Sequence, residues 1–517
     1  MTVEGRADQP VVDLLVVGGG INGVGIARDA AGRGLSVTLV ERGDLASATS
    51  SASTKLIHGG LRYLEYYEFR LVREALSERE VLLASAPHII WPLRFVLPHE
   101  KSLRPAWMIR LGLFLYDHLG GRKRLPPSRK VDLTQPPYNV GLRPGFGIGF
   151  EYSDCWVNDA RLVALNAVDA EERGARIFTR RACLSAERQG AAWLAELQDR
   201  AGRREMLRAR ALVNATGPWA GEFLSRELGH KRPPRLRLVK GSHIVVDRLF
   251  EGDHAFILQN EDRRIVFAIP YEERFTLIGT TDLSYDGDPA KAAISPEETQ
   301  YLCDVVNRHF ARAISPGDVV WSYSGVRPLF DEDGSESASE ISRDYVLDLD
   351  RDSGEAPLLN VFGGKITTYR RLAEHALQKL QPFFPRMKAP WTAGAKLPGG
   401  DMPNADFEAF VADQTRRLAW LPAASVHRLA RAYGTRIDRV LAGARSIGDL
   451  GIKFGGDLYE REVAYLIERE WAESADDVLW RRSKLGLHLP ADSHKRLAEW
   501  FAAPSRGSGQ PTKVARS

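Results

Sequence analysis

A chain of 517 residues, 44% of them apolar, buries a large core and is expected to form two or three domains. The excess charge of +4 is too small for an electrostatic nucleic-acid surface, yet it suits an anionic substrate or an anionic membrane face. Three scattered cysteines, Cys155, Cys183 and Cys303, give neither a disulfide framework nor metal-ligand spacing, so no metal and a reducing compartment are expected.

Residues 1–10 lack the apolar core of a secretory signal, and nowhere do roughly 18 apolar residues run unbroken as a membrane span requires. An apolar run over 11–17 then feeds into Gly18-Gly19-Gly20-Ile21-Asn22-Gly23, and a second apolar segment over 36–40 ends at Glu41. Strand, glycine turn, helix, strand and acid is the order that binds the adenosine half of a dinucleotide. Gly18 allows the tight turn, Gly20 lets the backbone approach a pyrophosphate, and Gly23 lets the helix pack close to its strand. Glu41 can accept hydrogen bonds from ribose hydroxyls, and the helix N-terminus offers N–H groups to phosphate.

The small-residue stretch 46–54 has linker composition, but it runs directly into Lys55-Leu56-Ile57-His58-Gly59-Gly60-Leu61-Arg62-Tyr63, which does not. Leu71, Ala75 and Leu82 recur at helical spacing and predict a helix over 69–84. Residues 106–116 are strongly apolar and precede Arg122, Lys123 and Arg124. By themselves they favour a buried helix beside a solvated basic loop; the alternative is a segment lying in a lipid headgroup layer. A strand over 211–215 ends in a Gly217-Pro218 turn. Four β-like runs, 243–246, 255–258, 264–269 and 275–278, then predict an antiparallel sheet inserted into the parallel unit.

Gly363-Gly364-Lys365 precedes an amphipathic helix ending near Leu380, and 397–404 reads as the clearest linker. Beyond it the pattern is helical. Val463, Leu466 and Ile467 share a face, and Ser474 with Asp477 has capping-box spacing before Val478. The expected class is α/β: a Rossmann-like cofactor-binding domain with an inserted antiparallel-sheet substrate domain and a C-terminal helical domain. The boundaries are 11–390 (cofactor parts about 11–90, 150–240 and 320–390; substrate parts about 91–149 and 241–319), a linker at 391–404, helices over 405–502 and a disordered tail at 503–517.

Gly18 to Gly23, the segment 49–64, Asn214-Ala215-Thr216-Gly217-Pro218-Trp219, Tyr323-Ser324-Gly325-Val326-Arg327-Pro328 and Gly363-Gly364-Lys365 occur in that order. In this the chain resembles the FAD-dependent glycerol-3-phosphate dehydrogenases of the bacterial aerobic respiratory type over nearly its whole length. The His58-to-Tyr63 string is highly specific, whereas the glycine turn alone also fits amine oxidases of the wider superfamily. The resemblance implies oxidation of sn-glycerol 3-phosphate to dihydroxyacetone phosphate, with electrons passing through FAD to membrane quinone. It also implies a homodimer held peripherally at the cytoplasmic face of the inner membrane, with no role for nucleic acid. Two departures, Ser47 where cysteine is frequent and Tyr271 where tryptophan is familiar, remove no charge.

Cofactor contacts are expected from Gly18, Gly20, Ile21, Asn22, Gly23, Glu41, Arg42, Thr49, Ser50, Ser53, Lys55, Leu56, Ile57, His58, Gly59, Gly60, Ala215, Thr216, Gly217, Gly364, Lys365, Ile366 and Thr367. Oxidising a secondary alcohol on a flavin needs hydride transfer to N5, a proton acceptor, a phosphate anchor and tolerance of negative charge on the reduced ring. Guanidinium forks suit phosphate, which points to Arg327, Arg343 and Arg62, although Arg62 has Glu65 as an alternative partner. His243 suits the substrate site and, less directly, the base; an arginine stabilising an alkoxide is the competing solution. Lys365, or a backbone N–H near it, can face the flavin N1–C2 edge. Tyr63, Thr280 and Thr281 offer hydroxyls to substrate. Rival readings are an oxygen-reducing oxidase, an NAD-linked dehydrogenase and a non-catalytic flavin-binding protein.

Overall fold

A computed structural model describes residues 11–99, 105–121, 124–231, 234–260, 262, 264–330, 344–351 and 354–503, with Arg62 described by its backbone alone. Arg343, Arg122, Lys123 and the tail beyond Ala503 lie outside these residues.

The N-terminal apolar run forms the strand Val12–Val17 at the middle of a sheet. Its neighbours are Arg204–Asn214 and Val37–Val40, flanked by Leu358–Phe362 and Arg176–Phe178. All five strands run parallel, and Val346–Asp350 adds one antiparallel edge. Such strands are buried on both faces, which is why 11–17 reads as an almost unbroken apolar run. On one face lie the helices Ile21–Gly32, Asp159–Glu172 and Tyr369–Leu380, and on the other Phe223, Leu224 and the hairpin strands Arg181–Gln189 and Ala192–Asp199. Val17 pairs with both Asn214 and Val40. Two turns therefore leave the carboxyl edge of the sheet side by side, where ligands of open α/β sheets bind.

A second sheet contains all four expected β runs, as Leu236–Asp247, Phe275–Gly279, Ile265–Tyr271 and Ala255–Gln259. These are antiparallel neighbours, in that order reading from Leu236–Asp247 across the sheet. The first strand starts well before 243 because Val319–Phe330 pairs along it from Leu236 to Val246. Beyond Ala255–Gln259 the sheet continues through Ile90–Pro98, in parallel register, and Ile148–Val157. These long-range pairings leave no local trace in the sequence.

The helix expected over 69–84 spans Phe69–Ser85, with Leu71, Ala75 and Leu82 buried. Three expectations need correction. The helix Ala106–Leu119 is not a buried helix: it buries only Ile109, Leu113 and Tyr116, and leaves Trp107 65%, Leu111 51% and Phe114 58% exposed. Its apolar residues exceed what one face can bury. The linker at 397–404 is packed rather than free, because Leu397 is buried and donates its N–H to Ser85 O (3.0 Å), and a Cβ on Gly399 would lie 2.3 Å from Tyr433 O. Ile467 is 38% exposed, unlike Val463 and Leu466. The buried face of Glu460–Glu470 is turned toward Glu462 and Glu470, whose carboxylates meet Arg428 and Arg161.

The C-terminal helices Ala423–Tyr433, Glu460–Glu470 and Ala491–Ala502 share a core of Val426, Leu429, Val463, Leu466 and Leu497. The Ser474–Asp477 capping box forms, with Asp477 N donating to Ser474 Oγ (3.3 Å) and the Asp477 carboxylate accepting from Ser474 N (3.0 Å).

Candidate active site

The two turns at the carboxyl edge open into a cavity of about 2020 Å³ that reaches under the second sheet. Typical small-ligand pockets are about 300–1,000 Å³, so this one has room for a dinucleotide and a substrate together. Gly18 has φ +117°, and a Cβ there would sit 2.4 Å from Ala215 O; a Cβ on Gly23 would sit 1.9 Å from Gly18 O. Both glycines are thus imposed by neighbouring backbone. Gly20 differs, since its Cβ would meet only Ser50 Oγ, at 3.2 Å. Apart from Ser50, that side of Gly20 is open to the cavity.

Glu41 accepts hydrogen bonds from Gly19 N (2.6 Å) and Gly43 N (2.7 Å), which fixes its carboxylate beside the turn. Asn22 donates to Gly363 O (3.1 Å), joining the first glycine turn to the last, and its buried Oδ1 has no partner among the described residues. That acceptor suits a ligand hydroxyl. Arg42 lies over the Trp219 ring, 4.2 Å from its centre. These groups, with Ala215, Thr216, Gly217, Gly364 and Ile366, line the cavity and fit a bound dinucleotide.

The stretch read as linker-like is an ordered loop between the two sheets. Ser50 Oγ accepts from Ile21 N (2.9 Å), and Thr49 Oγ1 donates to Val326 O (2.6 Å). Ser53 Oγ donates to Asp159 (2.8 Å), and the buried Lys55 ammonium meets both Asp159 oxygens at 2.9 Å. Lys55 is therefore a strut under the loop rather than part of the lining. Leu56 and His58 line the cavity, whereas Ile57, Gly59 and Gly60 support it from behind. Gly59 N donates to Tyr116 (2.8 Å), and a Cβ on Gly60 would lie 2.3 Å from the Tyr63 ring. Thr367 Oγ1 accepts from His58 N (3.2 Å).

At the far end Arg327 stands on Val319–Phe330 opposite Val239, and His243 on the paired strand stands opposite Tyr323. The Arg327 guanidinium meets Asp282 at 3.0 Å and points where Thr280 also lines the cavity. His243 Nε2 is 3.0 Å from Thr54 Oγ1, and its ring stacks on Tyr323 at 4.8 Å. Burial, with Lys55 and Arg327 nearby, pushes His243 down to about 3, so the ring is neutral at pH 7 and a weak base in the ligand-free site. Lys365 Nζ sits 4.0 Å from the centre of the Tyr63 ring. Thr281 is not brought into the cavity: its hydroxyl donates to the buried Glu298 (2.7 Å) and accepts from Ser242 N (2.9 Å). The backbone of Arg62 lies in the turn Leu61–Tyr66. Arg343 is outside the described residues.

Sequence reasoning missed Asp159, Asp282, Tyr323 and the C-terminal Trp480, Arg481 and Lys484. The last three line the same cavity. Asp159, following Asn158 at a helix start, and Tyr323, at the head of the motif that contains Arg327, carried a local signal.

A model of the FAD-dependent oxidoreductases matches residues 13–370, and one of the C-terminal domain of alpha-glycerophosphate oxidase matches 391–503. A glycerol-3-phosphate dehydrogenase of Pseudomonas aeruginosa is 59% identical over 492 residues, covering 95% of each chain. The chain belongs to the FAD-dependent glycerol-3-phosphate dehydrogenase family. Within that family it is also 53% identical to a D-erythritol 1-phosphate dehydrogenase of Brucella abortus, over 96% of this chain and 98% of that one. The glycerol-3-phosphate dehydrogenase of Bacillus halodurans, solved in complex with FAD, superposes with a TM-score of 0.76 at 28% identity, covering 95% of this chain and 90% of that one. As a member of the family this chain is an FAD-dependent oxidoreductase. Among the described residues there is no helix long and apolar enough to cross a membrane, and no cluster of metal-ligating side chains.

Proposed function

We propose that this enzyme oxidises sn-glycerol 3-phosphate to dihydroxyacetone phosphate and passes the electrons to membrane quinone. The observation that carries this reading is that Arg327, His243 and Lys365, far apart in sequence, line one cavity with the dinucleotide-binding turn. FAD, held at the turn by Gly18, Gly20, Asn22 and Glu41, would supply a two-electron acceptor for the hydride of the alcohol carbon. Arg327 anchors the phosphate, and Asp282 holds its fork in place. Tyr63 and Thr280 orient the hydroxyls. His243 takes the hydroxyl proton once the substrate phosphate offsets the charge of Arg327, one of the cations that hold its basicity down. Lys365, in the lining of the same cavity, would place positive charge near the bound cofactor and favour its reduced, anionic state. Thr281 acts from beneath, through Ser242 and Glu298.

The Brucella relative motivates a second substrate reading, a longer phosphorylated polyol. Anaerobic mixing separates them: sn-glycerol 3-phosphate is expected to bleach the flavin faster than D-erythritol 1-phosphate, and quinone to restore the colour faster than oxygen. Faster bleaching by the erythritol ester reassigns the substrate, and faster reoxidation by oxygen makes the protein an oxidase.

The exposed face of Ala106–Leu119 supports peripheral attachment to an anionic membrane. Trp107, Met108, Leu111 and Phe114 are exposed on one helix together with Arg110, and the Leu61–Tyr66 turn packed against it exposes Tyr66. Such a helix lies in the headgroup layer. The enzyme is expected to sediment with vesicles containing phosphatidylglycerol, and a Trp107→Ser, Phe114→Ser variant to stay largely in the supernatant with unchanged flavin content. Equal sedimentation of both proteins removes this helix from the membrane contact. The working form, by family resemblance, is a homodimer, which light scattering of the holoenzyme measures.

A further inference from the structure

The cofactor loop is held at its start by a segment of the C-terminal region more than 430 positions away. Asp44 stands three residues past Glu41, its carboxylate 2% exposed. Arg482, 1% exposed, donates to it through both terminal nitrogens (2.7 and 2.8 Å), and Arg481 Nε donates at 2.6 Å. A second buried carboxylate, Asp477, pairs with Arg481 and Arg180. The segment Asp477–Arg482 is wound as a π-helix, a wide turn frequent at functional sites. On its cavity side Trp480 stacks on Trp321 at 4.8 Å, and both rings line the cavity.

Asp44 is connected to the cofactor turn by backbone. Ser47 N donates to Asp44 O (3.2 Å), and Ala46 N donates to Gly19 O (3.2 Å). The loop then delivers Ser50 Oγ to Ile21 N at the start of the phosphate-facing helix. A shift of Asp44 is thus transmitted to Gly19 and to Ser50 over a few residues. A buried carboxylate shared by two guanidinium groups resists such a shift, because any other position leaves buried charge uncompensated.

We propose that Asp44 is a positioning residue for FAD: gripped by Arg481 and Arg482, it couples the docking of the C-terminal region to the shape of the cofactor loop, and so to FAD affinity. Asp44 and Arg482 lie outside the cavity lining, and the readout is cofactor binding, so the test is independent of the substrate assignment.

The test uses full-length protein stripped of FAD and titrated with FAD, following quenching of flavin fluorescence. Asp44→Asn and Arg482→Met are each expected to raise the FAD Kd by about tenfold, and the double variant by no more than the larger single effect, as coupled residues do. Arg482→Lys, which keeps a cation opposite Asp44, recovers part of the loss. A purely structural contact would lower the melting temperature of the FAD-free protein and leave the Kd unchanged; that result overturns the proposal. If Asp44→Asn does not fold, Arg481→Gln leaves the Arg482 pair intact and is expected to raise the Kd by about threefold. A parental Kd in that variant overturns the proposal equally.

Discussion

Arg327→Ala is expected to lower kcat/KM for sn-glycerol 3-phosphate by about a hundredfold or more while FAD stays bound, since losing a guanidinium partner of a phosphate costs about 2–5 kcal/mol. The side chain is 38% exposed, so water in the open cavity screens it until substrate enters. The large effect therefore belongs to the substrate complex rather than to the resting protein. Arg327 bonds Asp282 and lies on a strand paired along its length, so its loss disturbs neither the cofactor turn nor the sheet. Arg327→Lys keeps the charge and loses the fork, and an intermediate loss is expected. Steady-state kinetics together with the flavin absorbance of the purified variant checks both. Unchanged kinetics in Arg327→Ala would place the phosphate elsewhere.

The glycine turn gives the second large effect, and its members are expected to fail differently. Gly20→Val is expected to leave a folded protein without FAD, because the added Cβ meets only Ser50 Oγ, at 3.2 Å, and the branch beyond it faces the path proposed for the pyrophosphate. Gly23→Ala damages the fold itself, because its Cβ would lie 1.9 Å from the Gly18 carbonyl oxygen in a buried strand-to-helix packing. The melting temperature of the FAD-free proteins distinguishes them. It should stay near the parent for Gly20→Val and fall for Gly23→Ala. FAD retained by Gly20→Val would show that the cofactor takes another path.

Legibility in the sequence followed the range of the interactions. The first strand, the glycine turn, the helix and Glu41 fall within 31 residues, 11 to 41, and their sterics are written in adjacent positions. The four strands between 243 and 278 were legible for the same reason. The parallel join of Ala255–Gln259 to Ile90–Pro98 was not, because pairing across about 160 positions depends on sheet order rather than on neighbours. At the site, Arg327 and His243 stood out by residue type and motif. Asp282 and Lys484 did not, since an ordinary aspartate or lysine gains its meaning only from what the fold places beside it. Lys484 is an example: burial, and then Lys55, push its ammonium down to about 7, and nothing in its own neighbourhood of the sequence foretells that.

The sequence by itself determined the dinucleotide turn, the α/β class, the helical C-terminal region and, through ordered motifs, the family. These rest on backbone sterics and on periodicities of two and 3.6 residues, which are local properties. The tertiary structure alone decided which candidates meet. It brought Arg327, His243 and Lys365 to one cavity, and it turned Thr281 away from the cavity that Thr280 lines, toward Glu298. It left one side of Ala106–Leu119 uncovered, and it set Asp44 against Arg482. Such meetings are fixed by strand register and by the packing of distant segments, where the free energy of burial is gained and no neighbouring residue records it.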